Sequence, residues 1–180
     1  TATFAVKGKS VAEAFTQIFS KRLQPGAPTQ PSVSLTFGQA KAYEVGTTVT
    51  PTWSATLSTG SYTYGPATGI TATAWEISDT AGNTATTASG SFDAITVADG
   101  TNYKITAKAT HGAGAVANDN LGSPSSPEVK IAAGSKSKTS DAITGYRNTF
   151  YGTKTTKDAL DSAAIRSLSN KSNTAWANGK

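Results

Sequence analysis

The chain has 180 residues and a net charge of +5, and charged residues make up only 15% of it, below the usual quarter of a globular chain. It has no cysteine, so neither a disulfide nor a thiolate metal site can form, and a single histidine excludes a histidine-rich zinc site. No apolar run approaches the length of a membrane span, and no Gly-x-Ser-x-Gly elbow accompanies His111.

The charge is uneven. Residues 1–32 carry +3, residues 33–133 carry −3 and residues 134–180 carry +5. The basic ends lack the dense Lys/Arg clusters of a nucleic-acid surface. They suit docking on an acidic protein surface, or simply solvated ends. Thr, Ala, Ser and Gly replace the missing charges, a composition that suits secreted or particle-bound β proteins better than cytosolic enzymes.

In chain order, residues 1–24 read as an anchoring or oligomerisation segment. Ser10 lies three residues before Glu13, the spacing of a capping box. A helix is predicted to follow and to run until Gln24-Pro25-Gly26. Val11, Phe15, Ile18 and Phe19 share one face of it. So short a helix is marginal alone in water, so this face needs cover. Either the chain's own body or another subunit supplies it, which makes these four residues candidates for partner docking. Pro25, Pro28 and Pro31 then recur every third residue, the mark of a stiff, extended linker over residues 25–32.

Residues 33–133 read as a β body. Val33, Leu35 and Phe37 alternate, as do Trp53, Ala55 and Leu57; Tyr43 to Val49 is broken by Gly46. Tyr62 and Tyr64 lie in a surface connection and are candidate contacts, since aromatic faces stack on sugar rings. Ile70 to Ile77 is the best central strand, with Trp75 expected at its core and Trp53 competing for that role. Phe92, Ile95 and Val97 lead into the most regular stretch of the chain. There Asp99-Gly100 makes a turn, and Tyr103, Ile105, Ala107 and Ala109 face a core opposite Lys104, Thr106 and Lys108. A tyrosine just past such a turn matches the tyrosine corner of immunoglobulin-like sandwiches, whose hydroxyl bonds back to the turn. His111 falls in a long loop, and Glu128 to Ala132 forms a last strand. Asn118-Asp119-Asn120 offers oxygens, but one acid is too little for a calcium site.

The strand spacing predicts a mainly β chain, an immunoglobulin-like β-sandwich flanked by short N- and C-terminal helices, with a barrel as the alternative. Residues 134–180 change character, from a flexible basic run, through an aromatic stretch, to a second helix over Thr155–Leu168. Tyr146, Arg147, Phe150 and Tyr151 form the densest aromatic patch, either a contact surface or a cover for one end of the body. The chain opens at Thr1 without Met, as a processed or partial product would; it stops without a closing element, so a further domain is expected beyond Lys180.

The stretches Glu44-Val-Gly-Thr-Thr-Val-Thr-Pro, Tyr64-Gly-Pro-Ala-Thr-Gly-Ile-Thr-Ala, Ser78-Asp-Thr-Ala-Gly-Asn-Thr, Thr101-Asn-Tyr-Lys and Gly145-Tyr-Arg-Asn-Thr-Phe-Tyr-Gly-Thr resemble a family of bacteriophage virion proteins with an immunoglobulin-like fold. The resemblance covers somewhat over half of the chain. The Gly145 stretch is its most specific part. It implies a non-enzymatic component of a phage particle, a fibre, appendage or decoration protein of head or tail. The expected partners are other virion proteins and further copies of the chain, a trimer being one solution; the expected location is the particle surface. It carries over no catalytic residue, cofactor or metal. The alternative is a carbohydrate- or cell-surface-binding adhesin module. The scattered carboxylates show no pair suited to acid/base work.

Overall fold

The structure, a computed structural model, describes residues 8–19, 21–151, 163, 165 and 170–172, with side chains described for 8–15, 21–148, 163 and 165. It is mainly β. One helix, α1 (Val11–Phe19), precedes β1 (Ser32–Thr36), β2 (Ala42–Glu44), β3 (Thr48–Val49), β4 (Thr52–Ser58), β5 (Ala72–Asp79), β6 (Thr84–Ala85) and β7 (Ser89–Ser91). Then come β8 (Ile95–Thr96), β9 (Asn102–Tyr103), β10 (Ile105–His111), β11 (Gly134–Thr139), β12 (Ile143–Tyr146), β13 (Thr149–Tyr151) and β14 (Asn170–Ser172). The sheets have the orders β1-β4-β7, β11-β10-β5-β6 and β2-β12-β9, with the pairs β3-β8 and β13-β14.

The chain divides into two compact units. The first comprises Thr1–Ser34, Thr56–Trp75 and Lys108–Ser137; the second comprises Leu35–Ala55, Glu76–Ala107 and Lys138–Lys180.

In the first unit, α1 begins with the expected capping box. The Ser10 backbone N–H donates to Glu13 Oε2 at 2.7 Å, and the Glu13 N–H donates to Ser10 Oγ at 3.3 Å. This satisfies donors that the first turn leaves open. The helix has nine residues and stops at Phe19, short of the predicted end at Gln24. The buried residues of this unit include Val33, Ile70, Ala109, Ala117 and Ile131. Pro25 and Pro31 are buried too, so two prolines of the segment read as an extended linker are seated in the unit. Thr29 and Ser61 exchange both backbone hydrogen bonds, at 2.9 and 3.2 Å, and fix it there. The strand expected over Glu128–Ala132 does not form. That segment instead supplies single carbonyls to a loop, Val129 O accepting from Ala117 N and Ile131 O from Gly114 N. The strand lies next in sequence, in β11, where a flexible run was expected. β11 ends its sheet and consists of Gly, Ser, Lys and Thr, the composition of a guarded edge.

In the second unit the predicted alternation holds. Tyr103, Ile105 and Ala107 are buried, with Phe37, Val49, Trp53, Ala55, Ile77, Val97 and Ile143. Of the two tryptophans among the described residues, Trp53 is the buried one; it packs on Phe92 with ring centroids 4.5 Å apart and donates its indole N–H to Thr87 O at 3.2 Å. Trp75, the expected core residue of the Ile70–Ile77 strand, is only half-buried. Ser91–Val97 is split, with Phe92 between β7 and β8. Gly46 and Gly100 have the positive φ their turns require, +92° and +75°. The turn at Asp99 is closed by Thr101, whose hydroxyl accepts from Ala98 N at 2.8 Å. The Tyr103 hydroxyl does not bond back to that turn: it reaches Asp79, at the end of β5, so the tyrosine corner is not formed. The second predicted helix, Thr155–Leu168, falls outside the described residues except for Ala163 and Ile165.

Candidate functional site

The candidate docking face lies on α1. Val11 and Phe15 are 72% and 56% exposed, and Leu23 beyond the helix is 43% exposed. The side chains of Ile18 and Phe19 lie outside the described set. Residues 21–24 follow as a strap over the loop at 118–126. Asn120 grips the strap backbone on both sides of Arg22: its Nδ2 donates to Lys21 O at 3.0 Å and its Oδ1 accepts from Leu23 N at 2.8 Å. The Asn120 N–H adds a bond to Leu23 O at 3.1 Å. Arg22 Nε pairs with Asp119 Oδ2, and the Ser126 N–H donates to Gln24 Oε1 at 2.9 Å.

Asp119 is fully buried, and its other oxygen, Oδ1, accepts from Leu121 N and Ser123 N, both at 2.9 Å. Burial pushes this carboxyl up. The Arg22 guanidinium and the backbone donors of Ser123 and Leu121 outweigh that and hold it below the ordinary carboxylate value. Both oxygens are thus spent on the loop and the strap, which accounts for the Asn118-Asp119-Asn120 run without a cation.

Tyr62, one of the two candidate surface tyrosines, is half-buried, and its hydroxyl ties two segments together. It donates to Ala115 O at 2.5 Å and accepts from Ile131 N at 3.2 Å. A side chain at Gly114 would place its Cβ 2.7 Å from that oxygen. Tyr64 is also half-buried, and its carbonyl accepts from Asn118 N at 3.3 Å.

The Gly145-Tyr146-Arg147 stretch is a junction within the second unit. β12 runs parallel to β2, with Gly145 opposite Tyr43, and antiparallel to β9, with Ile143 opposite Tyr103. Tyr146 O accepts from Val45 N at 2.9 Å. Gly145 is required here because a Cβ would come within 2.0 Å of Ala98 O. Arg147 is exposed, and its Nε meets Asp99 Oδ2 at 3.0 Å. The side chains of Phe150 and Tyr151 lie outside the described set; their backbone pairs β13 with β14.

His111 is not in a loop. It closes β10 and is buried, with Nδ1 at 2.9 Å from Gly112 O. That carbonyl can only accept, so Nδ1 carries the proton in this bond. Nε2 has no partner among the described residues. The sequence signal for its burial was its register with Tyr103 and Ala109, two residues past the last position read as strand.

Among the described residues no group of three or more His, Asp or Glu could hold a metal ion, and no helix is long and apolar enough to cross a membrane. Compared with models of known protein families, with curated proteins and with solved structures, the chain matches none.

Proposed function

We propose that this chain is a non-enzymatic structural component of a bacteriophage particle, a fibre, appendage or decoration protein of head or tail. In this reading it docks through its N-terminal segment and displays an immunoglobulin-like β-sandwich. The observation that carries it is the use made of the acidic side chains. Glu13 caps α1, Asp79 ties β5 to Tyr103, Asp99 holds Arg147, Asp119 holds the strap and Glu128 meets Lys130 at 2.6 Å. Carboxylates spent on turns and straps suit a display body, and these five are engaged in holding the fold rather than paired for acid/base work. The cysteine-free core, with a buried Trp53 and the alternating β10, agrees with a sandwich held by packing. The Gly145 junction gives the stretch that resembles virion proteins a structural reason for its glycine.

The experiment is electron microscopy of purified phage particles labelled with an antibody against residues 33–133. Label on head or tail is the expected result. Label on bacterial envelopes, with none on any particle, would overturn the reading in favour of an adhesin. A truncation lacking residues 1–24 is expected to lose incorporation while the β body stays folded; a truncated chain that still incorporates removes the docking role from that segment.

A further inference from the structure

The strap at residues 21–24 carries the adjacent basic pair Lys21-Arg22, in a segment that is neither helix nor strand. All four of its residues are exposed, and the Arg22 side chain is 55% exposed although its guanidinium is paired. Solvent-exposed irregular backbone beside an arginine is what an arginine-specific endoprotease cuts. Such an enzyme needs two things of its substrate. The arginine must enter an acidic specificity pocket, and the neighbouring backbone must be free to pair with the enzyme in extended form.

Both requirements are blocked here by one loop. Asp119 holds the Arg22 guanidinium, as an acidic pocket would. Asn120 occupies Lys21 O, Leu23 N and Leu23 O, the backbone groups that flank the Arg22–Leu23 bond. Gln24 adds the bond from Ser126 N, and the Thr29–Ser61 pair fixes the chain further on. A strap held mainly by a few hydrogen bonds at the surface opens far more often than a core does, since each such bond is worth little net.

We infer that the Arg22–Leu23 peptide bond is a latent cleavage site for an arginine-specific protease, closed while Asp119 and Asn120 hold the strap and open when they release it. In the cleavage, water adds to the Arg22 carbonyl carbon and the bond to the Leu23 nitrogen breaks. Arg22 is left as a carboxylate and Leu23 as a new amino terminus. The product is a body that begins at Leu23, separated from residues 1–22 and from α1 with its exposed Val11 and Phe15. The loop at 118–126 is thus a guard on the connection between helix and body, whatever α1 binds.

The full chain itself provides the test. Its arginines are Arg22, Arg147 and Arg166, so an arginine-specific endoprotease gives few fragments, each assignable by mass spectrometry. The initial rate of the cut after Arg22 is measured for the native chain, for Asn120→Ala, for Asp119→Asn and for a free peptide spanning residues 16–28. The native chain is expected to be cut at least about tenfold more slowly than the peptide. Asn120→Ala, at an exposed position, is expected to recover about tenfold, the effect of losing the two modest side-chain hydrogen bonds to Lys21 O and Leu23 N. The cut after Arg147 should stay as it was. Asp119→Asn should move the Arg22 rate in the same direction. A native chain cut as fast as the peptide overturns the inference. So does an Asn120→Ala rate at Arg22 within about twofold of the native rate. Equal acceleration at Arg147 would also overturn it, because the whole body would then be opening rather than the clasp.

Discussion

The hydroxyl of Tyr103 donates to Oδ2 of Asp79 at 2.7 Å, joining the end of β9 to the end of β5. Asp79 is already a turn-former: its Oδ1 accepts from Ala81 N at 2.9 Å and Asn83 N at 2.8 Å, and its Oδ2 also takes Asn83 Nδ2 at 2.8 Å. Burial pushes the Asp79 carboxyl up, but these donors prevail and hold it below its ordinary value. The same burial, with the Asp79 carboxylate beside it, pushes the Tyr103 phenol above its ordinary value.

Tyr103→Phe removes one donor to a charged acceptor and leaves the ring in place. The expected cost is about 1.5–3 kcal/mol near neutral pH, by chemical denaturation. The pH dependence follows from the raised phenol. Its stabilising share is whole below the unfolded value, near pH 10, and is lost as pH rises towards the higher folded value. The native chain should therefore lose stability above about pH 10 more steeply than the variant. Parallel curves on the alkaline side would show that Tyr103 does not titrate differently in the two states.

Gly145→Ala places a methyl group 2.0 Å from the Ala98 carbonyl oxygen, and the obstacle is backbone rather than a movable side chain. The β12 junction must shift, at an expected cost of more than about 2 kcal/mol. Gly112→Ala meets nothing within 4 Å and serves as the control; its midpoint should stay within about 0.5 kcal/mol of the native chain. Equal midpoints for the two variants would show that the junction has room the structure does not give it.

The alternation from Tyr103 to Ala109, the Gly46 and Gly100 turns and the Ser10–Glu13 cap were readable because each is local: a period of two, a positive φ, a spacing of three. β11 was not, because Gly134-Ser-Lys-Ser-Lys-Thr has no apolar face; its place at the sheet edge comes from pairing, not from propensity. Glu128–Ala132 misled for the opposite reason. Val129 and Ile131 alternate as a strand would, yet their carbonyls serve a loop. Of the candidate site, the helical spacing of Val11 and Phe15 marked one apolar face in need of cover, but not whether the chain's own body supplies it; their exposure is seen only in the structure. The pairing of Arg22 with Asp119, 97 positions apart, leaves no trace in either neighbourhood. Tyr62 looked like a surface aromatic because its partners, Ala115 O and Ile131 N, are backbone atoms that sequence does not mark.

Tyr62→Phe separates a structural tyrosine from a sugar-stacking one. The ring face is retained, so stacking on a ligand would survive, whereas Ile131 N and Ala115 O each lose a partner. A buried N–H left unpaired costs about 1–3 kcal/mol, and a fall in stability of that order is expected in thermal or chemical denaturation. An unchanged midpoint would make Tyr62 an available surface contact again.

Asp119 sets the acid limit of the strap. Its carboxyl is held below the ordinary value, so its contribution is whole above the unfolded value, near pH 4, and disappears as pH falls through the lower folded value. Protonation leaves Arg22 without its counter-charge and takes one acceptor from the strap, while the Leu121 and Ser123 amides keep a weaker one. Asp119→Asn should therefore be less stable than the native chain at neutral pH, and the gap should close as pH falls below about 4 and through the lower folded value, beneath which neither carries the charge. Arg22→Gln, which removes the charge from the exposed side of the same pair, should show the same convergence with a smaller gap, because Asp119 keeps its two backbone donors. Thermal melts of the three chains from pH 2 to pH 7 test this. A gap between the native chain and Asp119→Asn that stays constant over that range would mean that the carboxylate acts by shape alone and not by its charge. Convergence would identify the charge of Asp119, paired with Arg22, as a stabilising contribution that acid removes.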